Sequence, residues 1–250
     1  PTQMSFSVSC EKTGLEYRGA DFSGLFAQRR NLVNPRFLRL LLDLVRFNKV
    51  GEKLLESEQE NETVAEFFER NHFSSQFIEQ YFLPMGAAIW SASFDTFKKF
   101  PIRFIAEFYQ NHGLLGVTNR PQWRVITGGS RQYIEPLTRD WVDQIHTKQP
   151  IIGVQRTDNG VTVLSKDGKS HPFDHVVFAC HSDQALRILG EQASLNETEI
   201  LSAFPYHPNT AVLHTPESVL PKNKRAWACW NYFKPKQASS VANVTYNMNI

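Results

Sequence analysis

Between Asn119 and His181 the chain strings together a strand end, a Gly-Gly-Ser turn, a helix-forming run, a β-hairpin and a short apolar strand. No other stretch constrains the fold as tightly. Val125-Ile126 reads as a strand end, Gly128-Gly129 permit a turn with close backbone approach, and Ser130 is a helix N-cap. The helix expected from Ser130 presents Tyr133, Ile134, Leu137, Trp141 and Ile145, with Pro136 absorbed by a kink or by the first turns. Ile151-Ile152-Gly153-Val154 is the next strand, Asp158-Asn159-Gly160 a hairpin turn, Val161-Thr162-Val163-Leu164 the return strand and Asp167-Gly168 a second turn. Val176-Val177-Phe178-Ala179 is a continuous apolar run of the kind that buried parallel strands show. The expectation is an α/β layer in which the Ser130 helix packs on one sheet holding both 151–154 and 176–179.

These residues carry a resemblance. In the flavin-containing amine oxidase superfamily, which includes carotenoid desaturases and protoporphyrinogen oxidase, the run N-x-x-Q-x-x-x-x-x-G-G-S-x-Q precedes a helix, a Pro-aliphatic strand entry, a hairpin and V-I-x-A. Here Asn119, Gln122, Gly128-Gly129-Ser130, Gln132, Pro150-Ile151 and Val176-Val177-Phe178-Ala179 stand in that order. Counting also Met4-Ser5-Phe6 and Trp227-Ala228-Cys229-Trp230-Asn231-Tyr232, most of the chain is similar to bacterial members known only as NAD/FAD-binding oxidoreductases.

The resemblance implies FAD as cofactor and an α+β or α/β fold, with a helical cap and mixed-sheet substrate domain joined to part of a Rossmann-like FAD-binding domain. Residues 1–118 would be the helical part of the substrate domain, 119–190 part of the FAD-binding domain and 191–250 the β-rich part of the substrate domain. It places the main chain of Ile151 beside the adenine, with Ala179 and Cys180 at a strand end facing the ADP portion. Gln122 falls where amine oxidases present a glutamine to the substrate cavity, and Trp230 and Tyr232 share one face of a strand that forms the cavity floor. These three are expected to converge on one concave surface. Trp90 follows a Pro-interrupted helix, where cap helices open toward a cavity. The competing reading of Trp90, Trp230 and Tyr232 is plain packing, and of Ile151, Ala179 and Cys180 plain sheet core.

The superfamily opens with a G-x-G-x-x-G turn whose helix N-terminus binds the FAD pyrophosphate, and no such motif occurs in these 250 residues. The Gly-rich segment that meets the flavin near the family's C-terminus is also missing, and the first residue is Pro1. The expectation is an internal piece of a longer protein that holds no FAD when purified alone, with surfaces left open to drive self-association.

The first third reads as a helical bundle. Asn34-Pro35 starts a helix with the apolar face Phe37, Leu40, Leu41, Leu44 and Phe47, and Gly51 is expected to end it. Thr63-Val64-Ala65-Glu66 is a capping box ahead of Phe67-Phe68. Phe77, Ile78, Tyr81 and Phe82 form a second face interrupted by Pro84, and Phe100-Pro101 opens a helix carrying Phe104, Ile105, Phe108 and Tyr109. Most of the 19 phenylalanines sit at helical spacing and read as core rather than as a ligand tunnel. Toward the C-terminus, Asn196-Glu197-Thr198-Glu199 caps a short helix, and 210–215, 226–233 and 240–247 read as strands.

Lys and Arg number 27 against 25 Asp and Glu, with no basic block that would track phosphates, so nucleic acid is not the expected partner. Cys10, Cys180 and Cys229 are widely spaced and odd in number, which suits free buried thiols in a reducing compartment. Neither zinc-ligand spacing, a signal peptide nor a bilayer-length apolar run is visible, and the chain reads as cytoplasmic. The histidines are scattered without H-x-x-x-H, Cys180-His181 point to opposite sides of an extended chain, and Gln132 stands where a nucleophile elbow needs glycine. No catalytic side chain is therefore assigned. That fits a resemblance in which substrate passes a hydride equivalent to flavin and the cofactor carries the chemistry. Many amine oxidases hold a water with a lysine on the strand after V-I-x-A, but Asn209-Thr210-Ala211-Val212-Leu213 has none. The resemblance implies oxidation or desaturation of a small or hydrophobic substrate; this departure argues against amine oxidation and leaves a lipid or isoprenoid as an open option. Two other readings stay open: a non-catalytic module binding a hydrophobic ligand or protein without cofactor, and an α+β enzyme unrelated to flavin.

Overall fold

The computed structural model describes residues 2–57, 61–116, 122–206, 208–237 and 243–249. Its strands are β1 (Phe6–Cys10), β2 (Leu15–Arg18), β3 (Ile151–Thr157), β4 (Gly160–Ser165), β5 (Ser170–Phe173), β6 (Trp230–Lys234) and β7 (Asn243–Tyr246). The main helices are α1 (Pro35–Leu55), α2 (Val64–Arg70), α3 (Leu83–Trp90), α4 (Ile102–Asn111), α5 (Ser182–Leu189) and α6 (Leu195–Ser202). The chain is thus an α+β protein, and it divides into two compact units: Pro1–Thr127 with Thr215–Ile250, and Gly128–His214.

In the first unit, α1 begins as its sequence dictates, with Asn34 Oδ1 accepting the Arg36 N–H and Pro35 in the first turn. It does not stop at Gly51. The helix runs on to Leu55, and Gly51 is buried within it because Leu115 lies against it, 3.3 Å from where a Cβ would stand. Asp43, also on the buried face, accepts the Ser74 N–H at 3.0 Å and Arg39 Nε at 3.2 Å. Burial alone would raise this carboxyl, but the bonds from Ser74 and Arg39 hold it below its ordinary range. The Thr63/Glu66 capping box closes reciprocally at the start of α2.

Pro84 explains the next irregularity. The segment Ile78–Phe82 is a π-helix leading into α3, and Pro84 has no N–H to give the Gln80 carbonyl four residues earlier. The Tyr17 hydroxyl, from β2, donates to that carbonyl at 2.7 Å. Burial, then the nearby Tyr81, push the Tyr17 hydroxyl well above its ordinary value, so it stays protonated and able to donate. Around this joint the aromatic residues interlock: Phe47 meets the rings of Phe67, Phe68, Phe73, Phe77, Phe82 and Tyr109 at centroid distances of 5.0 to 6.2 Å. Gly86 in α3 faces the Phe97 ring, whose nearest carbon would lie 1.9 Å from an added Cβ.

The sheet of this unit has the order β2-β1-β6-β7, with β1 parallel to β6 and the other pairs antiparallel. One face, carrying Phe6, Val8, Trp230 and Tyr232, packs with Phe26, Phe37 and Ala88. On the other, Ser7 Oγ donates to Asn231 Oδ1 at 2.8 Å and Asn231 Nδ2 donates to the Ala228 carbonyl at 2.6 Å. The expected strand 226–233 is shorter at its start for this reason. Asn231 also takes the Ala228 N–H, after a 3-10 turn at Lys224–Ala226, so the backbone before Trp230 is bonded away from the ladder. Of the expected strand 240–247, the described part pairs as β7, and residues 240–242 lie outside the described residues.

The second unit departs further from expectation. β3, β4 and β5 form an antiparallel meander, with the hairpin turns where Asp158-Asn159-Gly160 and Asp167-Gly168 place them. Gly160 has φ of +152°, and a Cβ there would come within 2.4 Å of the Phe173 carbonyl. α5 packs on β3, and Ala185 and Leu189 of the helix and Val154 of the strand are buried. The run from Ser130 is not one helix. It is a 3-10 turn at Ser130–Tyr133, an α-turn at Ile134–Thr138 and a second 3-10 stretch at Arg139–Gln144, with Trp141 at non-helical φ of −141°. Pro136 cannot return an N–H to the Gln132 carbonyl, and no residue of these turns is buried, so packing does not repair the break.

Nor is 176–179 a strand. Val177 is 89% exposed, and no described strand runs beside it to take its backbone bonds. The same holds for 210–215, where Leu213 is 99% exposed. The helix near 196–199 does form, as α6, but its cap is Ser194, which closes a capping box with Glu197.

Candidate functional site

The substrate residues read from the sequence all lie in the first unit. Trp90 ends α3, where Ser91 turns left-handed at φ of +49°. Its half-buried ring stacks on Phe97 at 5.5 Å and meets Phe108 at 4.8 Å and Phe104 at 5.7 Å, so it belongs to the helical core's aromatic wall. Trp230 opens β6 and packs edge-on against Tyr246 at 5.4 Å. Tyr232 is on the same strand face, but at 2% exposure its ring is sheet core, 6.4 Å from Phe94. Burial, and then Cys10, push its hydroxyl up to about 12.

Gln122 is exposed and bonded to backbone: its Nε2 donates to the Thr2 carbonyl at 2.9 Å and to the Trp123 carbonyl at 3.1 Å. The Thr2 N–H in turn donates to the Trp123 carbonyl. At the other end of that lead-in to β1, the Trp230 N–H donates to the Ser5 carbonyl and the Cys229 N–H to Ser5 Oγ. Gln122 and Trp230 are thus tied to the two ends of residues 2–5, while Tyr232, on the same face of β6 as Trp230, is fully buried in the sheet core. Asn119, which opens the motif containing Gln122, lies outside the described residues. Met85 and Phe94 pack against both apolar clusters, the one holding Trp90 and the one holding Trp230 and Tyr232.

A hollow of about 450 Å³ opens elsewhere, on an apolar floor of Val64, Phe68, Phe73 and Leu83 with Glu69, His72 and Lys98 at its rim. None of the candidate site residues Gln122, Trp90, Trp230, Tyr232, Ile151, Ala179 and Cys180 lines it. No sequence pattern marks it either, since its floor is made of ordinary helical core positions and His72 is set by a left-handed turn, φ of +51°, after α2. Among the described residues no group of three or more His, Cys, Asp or Glu is placed to hold a metal ion.

The cofactor residues lie in the second unit. Ile151 begins β3, an outer strand of its sheet, and is 36% exposed. Ala179 and Cys180 are exposed in the chain entering α5, the helix packed on β3. The thiol at Cys180 is therefore free but not buried, unlike Cys10. His181 stacks on Tyr206 at 4.4 Å, and the Tyr206 hydroxyl accepts the Ser182 N–H at 3.0 Å, which occupies one of the donors at the start of α5. An accessible strand edge at Ile151 and small exposed residues at 179–180 fit the adenine side of a dinucleotide. At the start of α5 the Ser182 N–H is already given to Tyr206 and Asp183 adds a negative charge to the first turn, so the fit does not extend to the pyrophosphate.

The family model described as flavin-containing amine oxidoreductase matches residues 6–241 of this chain. Among solved structures, a protein of Exiguobacterium sp. 255-15 provisionally named as a protoporphyrinogen oxidase is similar at 19% identity with a TM-score of 0.46. The similarity covers 79% of this chain and 45% of that one, so the chain spans less than half the length of that relative. A search of curated proteins finds no match.

Proposed function

This chain belongs to the flavin-containing amine oxidoreductase family, and from that premise we propose that it is the substrate-domain portion, with the adenine side of the cofactor domain, of an FAD-dependent oxidoreductase acting on a small hydrophobic molecule. The observation that carries the reading is the extent of the family match, which runs through both units rather than one motif. FAD, when bound, would accept the hydride equivalent that the substrate loses. The residues of this chain would bind, orient and exclude water. The main chain of Ile151, with Ala179 and Cys180, would receive the adenine side. Gln122 and Trp230, at the two ends of residues 2–5, would present a polar amide and an aromatic face to substrate, and Trp90 would close the apolar side. Tyr232, further along the same face of β6, would fix the sheet core beside Trp230. The missing lysine on 209–213 favours oxidation or desaturation of an apolar substrate over amine oxidation.

The test uses the protein expressed from its whole gene. It should purify with flavin, and candidate lipids and isoprenoids should be screened for anaerobic bleaching of the flavin band. Trp230→Ala and Gln122→Ala should slow bleaching by the active substrate while leaving flavin content unchanged. A flavin-free protein that binds hydrophobic ligands would instead establish a non-catalytic module.

A further inference from the structure

α1 buries one face, and among the described residues its other face is exposed. Leu38, Leu42 and Val45 follow at spacings of four and three residues, which aligns them along one side of the helix, and they are 38%, 67% and 41% exposed. Lys49 continues the same line, and Arg39, Arg46 and Lys53 run beside it at seven-residue intervals. At the N-terminal end the stripe is preceded by exposed Leu32 and Val33 and flanked by exposed Arg29, Arg30 and Arg36.

The charge is concentrated here. From Phe22 to Leu55 the sequence has seven Lys and Arg and only two carboxylates, of which one, Asp43, is buried, whereas the whole chain balances to +2. Net positive charge therefore sits on this segment and the remainder of the chain is net negative. An apolar line bordered by cations on a helix of about 30 Å suits one kind of surface. Leu and Val side chains can enter an acyl boundary while Arg and Lys reach the phosphates above it. A second copy fits poorly, because its cations would face these, and nucleic acid fits poorly, because its phosphates would meet Leu42 and Val45. No helix among the described residues is long and apolar enough to cross a membrane, so the contact is with a surface.

We propose that the outer face of α1 docks on an anionic lipid bilayer, with Val33, Leu38, Leu42 and Val45 entering the headgroup region and Arg36, Lys49 and Lys53 meeting lipid phosphates. This does not rest on the flavin reading. The test is co-sedimentation of the chain with phosphatidylcholine vesicles made with and without phosphatidylglycerol, at low and high salt. Binding is expected only with phosphatidylglycerol, and it should weaken in salt. Replacing Arg36, Lys49 and Lys53 together by Gln should weaken it about a hundredfold, at about fivefold for each cation. Leu42→Glu should weaken it by at least about tenfold. Val33→Glu lies outside the helix and repeats that test if Leu42→Glu fails the far-UV circular dichroism check for folding. Binding to neutral vesicles alone, binding that survives both apolar substitutions, or a self-associated species that Leu42→Glu dissolves without lipid would each overturn the proposal.

Discussion

The two units of this chain treat their apolar residues differently. In the unit of Pro1–Thr127 with Thr215–Ile250, phenylalanines from α1, α2, the π-helix and the short turns Ser75–Phe77 and Phe94–Phe97 close around one another, and Phe47, Phe67, Phe77, Phe82 and Phe97 are at or below 1% exposure. In Gly128–His214, buried apolar side chains among the described residues are few, Val154, Val163, Ala185 and Leu189, while Leu137, Trp141, Val177, Leu195 and Leu213 stand 49% to 99% exposed. Hydrophobic runs of equal strength in the sequence thus became packed elements in one unit and uncovered chain in the other. An apolar run specifies a strand only when another strand or layer is present to take its hydrogen bonds and cover its faces.

The contrast can be broken first at its densest point. Phe47→Ala should destabilise the first unit by about 3–5 kcal/mol, because six neighbouring rings lose their common partner. Denaturant unfolding followed by near-ultraviolet circular dichroism would read this. If the aromatic cluster is not the organising core, the midpoint will hardly move. A comparable truncation on the exposed face of the second unit, Leu213→Ala, should change nothing measurable.

Gly86→Ala pushes a methyl into the Phe97 ring and should cost about 1–3 kcal/mol, against the gain that Gly→Ala usually brings in a helix. Tyr17→Phe removes the donor that replaces Pro84's missing N–H, leaves the Gln80 carbonyl unsatisfied and should cost about 1–3 kcal/mol. A thermal midpoint for Tyr17→Phe equal to that of the parent would show that another group satisfies this carbonyl.

The smallest effect belongs to the second unit and to pH. Glu197 is held down to about 2 by the Arg156 side chain first and by Ser194 next. A carboxyl lowered on folding contributes stability above its ordinary value near 4.5, and that contribution is lost as pH falls toward 2. Amide exchange in α6 should therefore accelerate between these values, and Glu197→Gln should flatten the dependence. Protection in α6 that ignores pH across this window would remove the Arg156–Glu197 pair from the account.

What was legible in the sequence was local chemistry. Asn34-Pro35, the Thr63/Glu66 box and the Asp158-Asn159-Gly160 turn carry their geometry in neighbouring residues and appear where they were expected. Gly51 misled because a glycine serves equally as a helix end and as a close-packing point, and only Leu115, distant in sequence, decides which. The parity of Trp230 and Tyr232 was readable, but not that the core lies under Tyr232, since that depends on Val8 across the sheet. The tie between Gln122 and residues 2–5 passes through main-chain carbonyls, which leave no mark in side-chain identity. The exposed line of Leu38, Leu42 and Val45 on α1 was not read from the sequence, because Leu40 and Leu42 differ only in which side of one helix they occupy.

Under the proposed function, residues of this chain serve a flavin together with the other parts of the whole-gene protein. The direct measurement is flavin uptake, by absorbance and fluorescence, for this chain and for the whole-gene protein side by side. The account predicts stoichiometric FAD in the whole-gene protein, bleached anaerobically by its substrate, and no retained FAD in the 250-residue chain. Tight, stoichiometric binding by the chain alone, or a folded whole-gene protein that takes up no flavin, would contradict it.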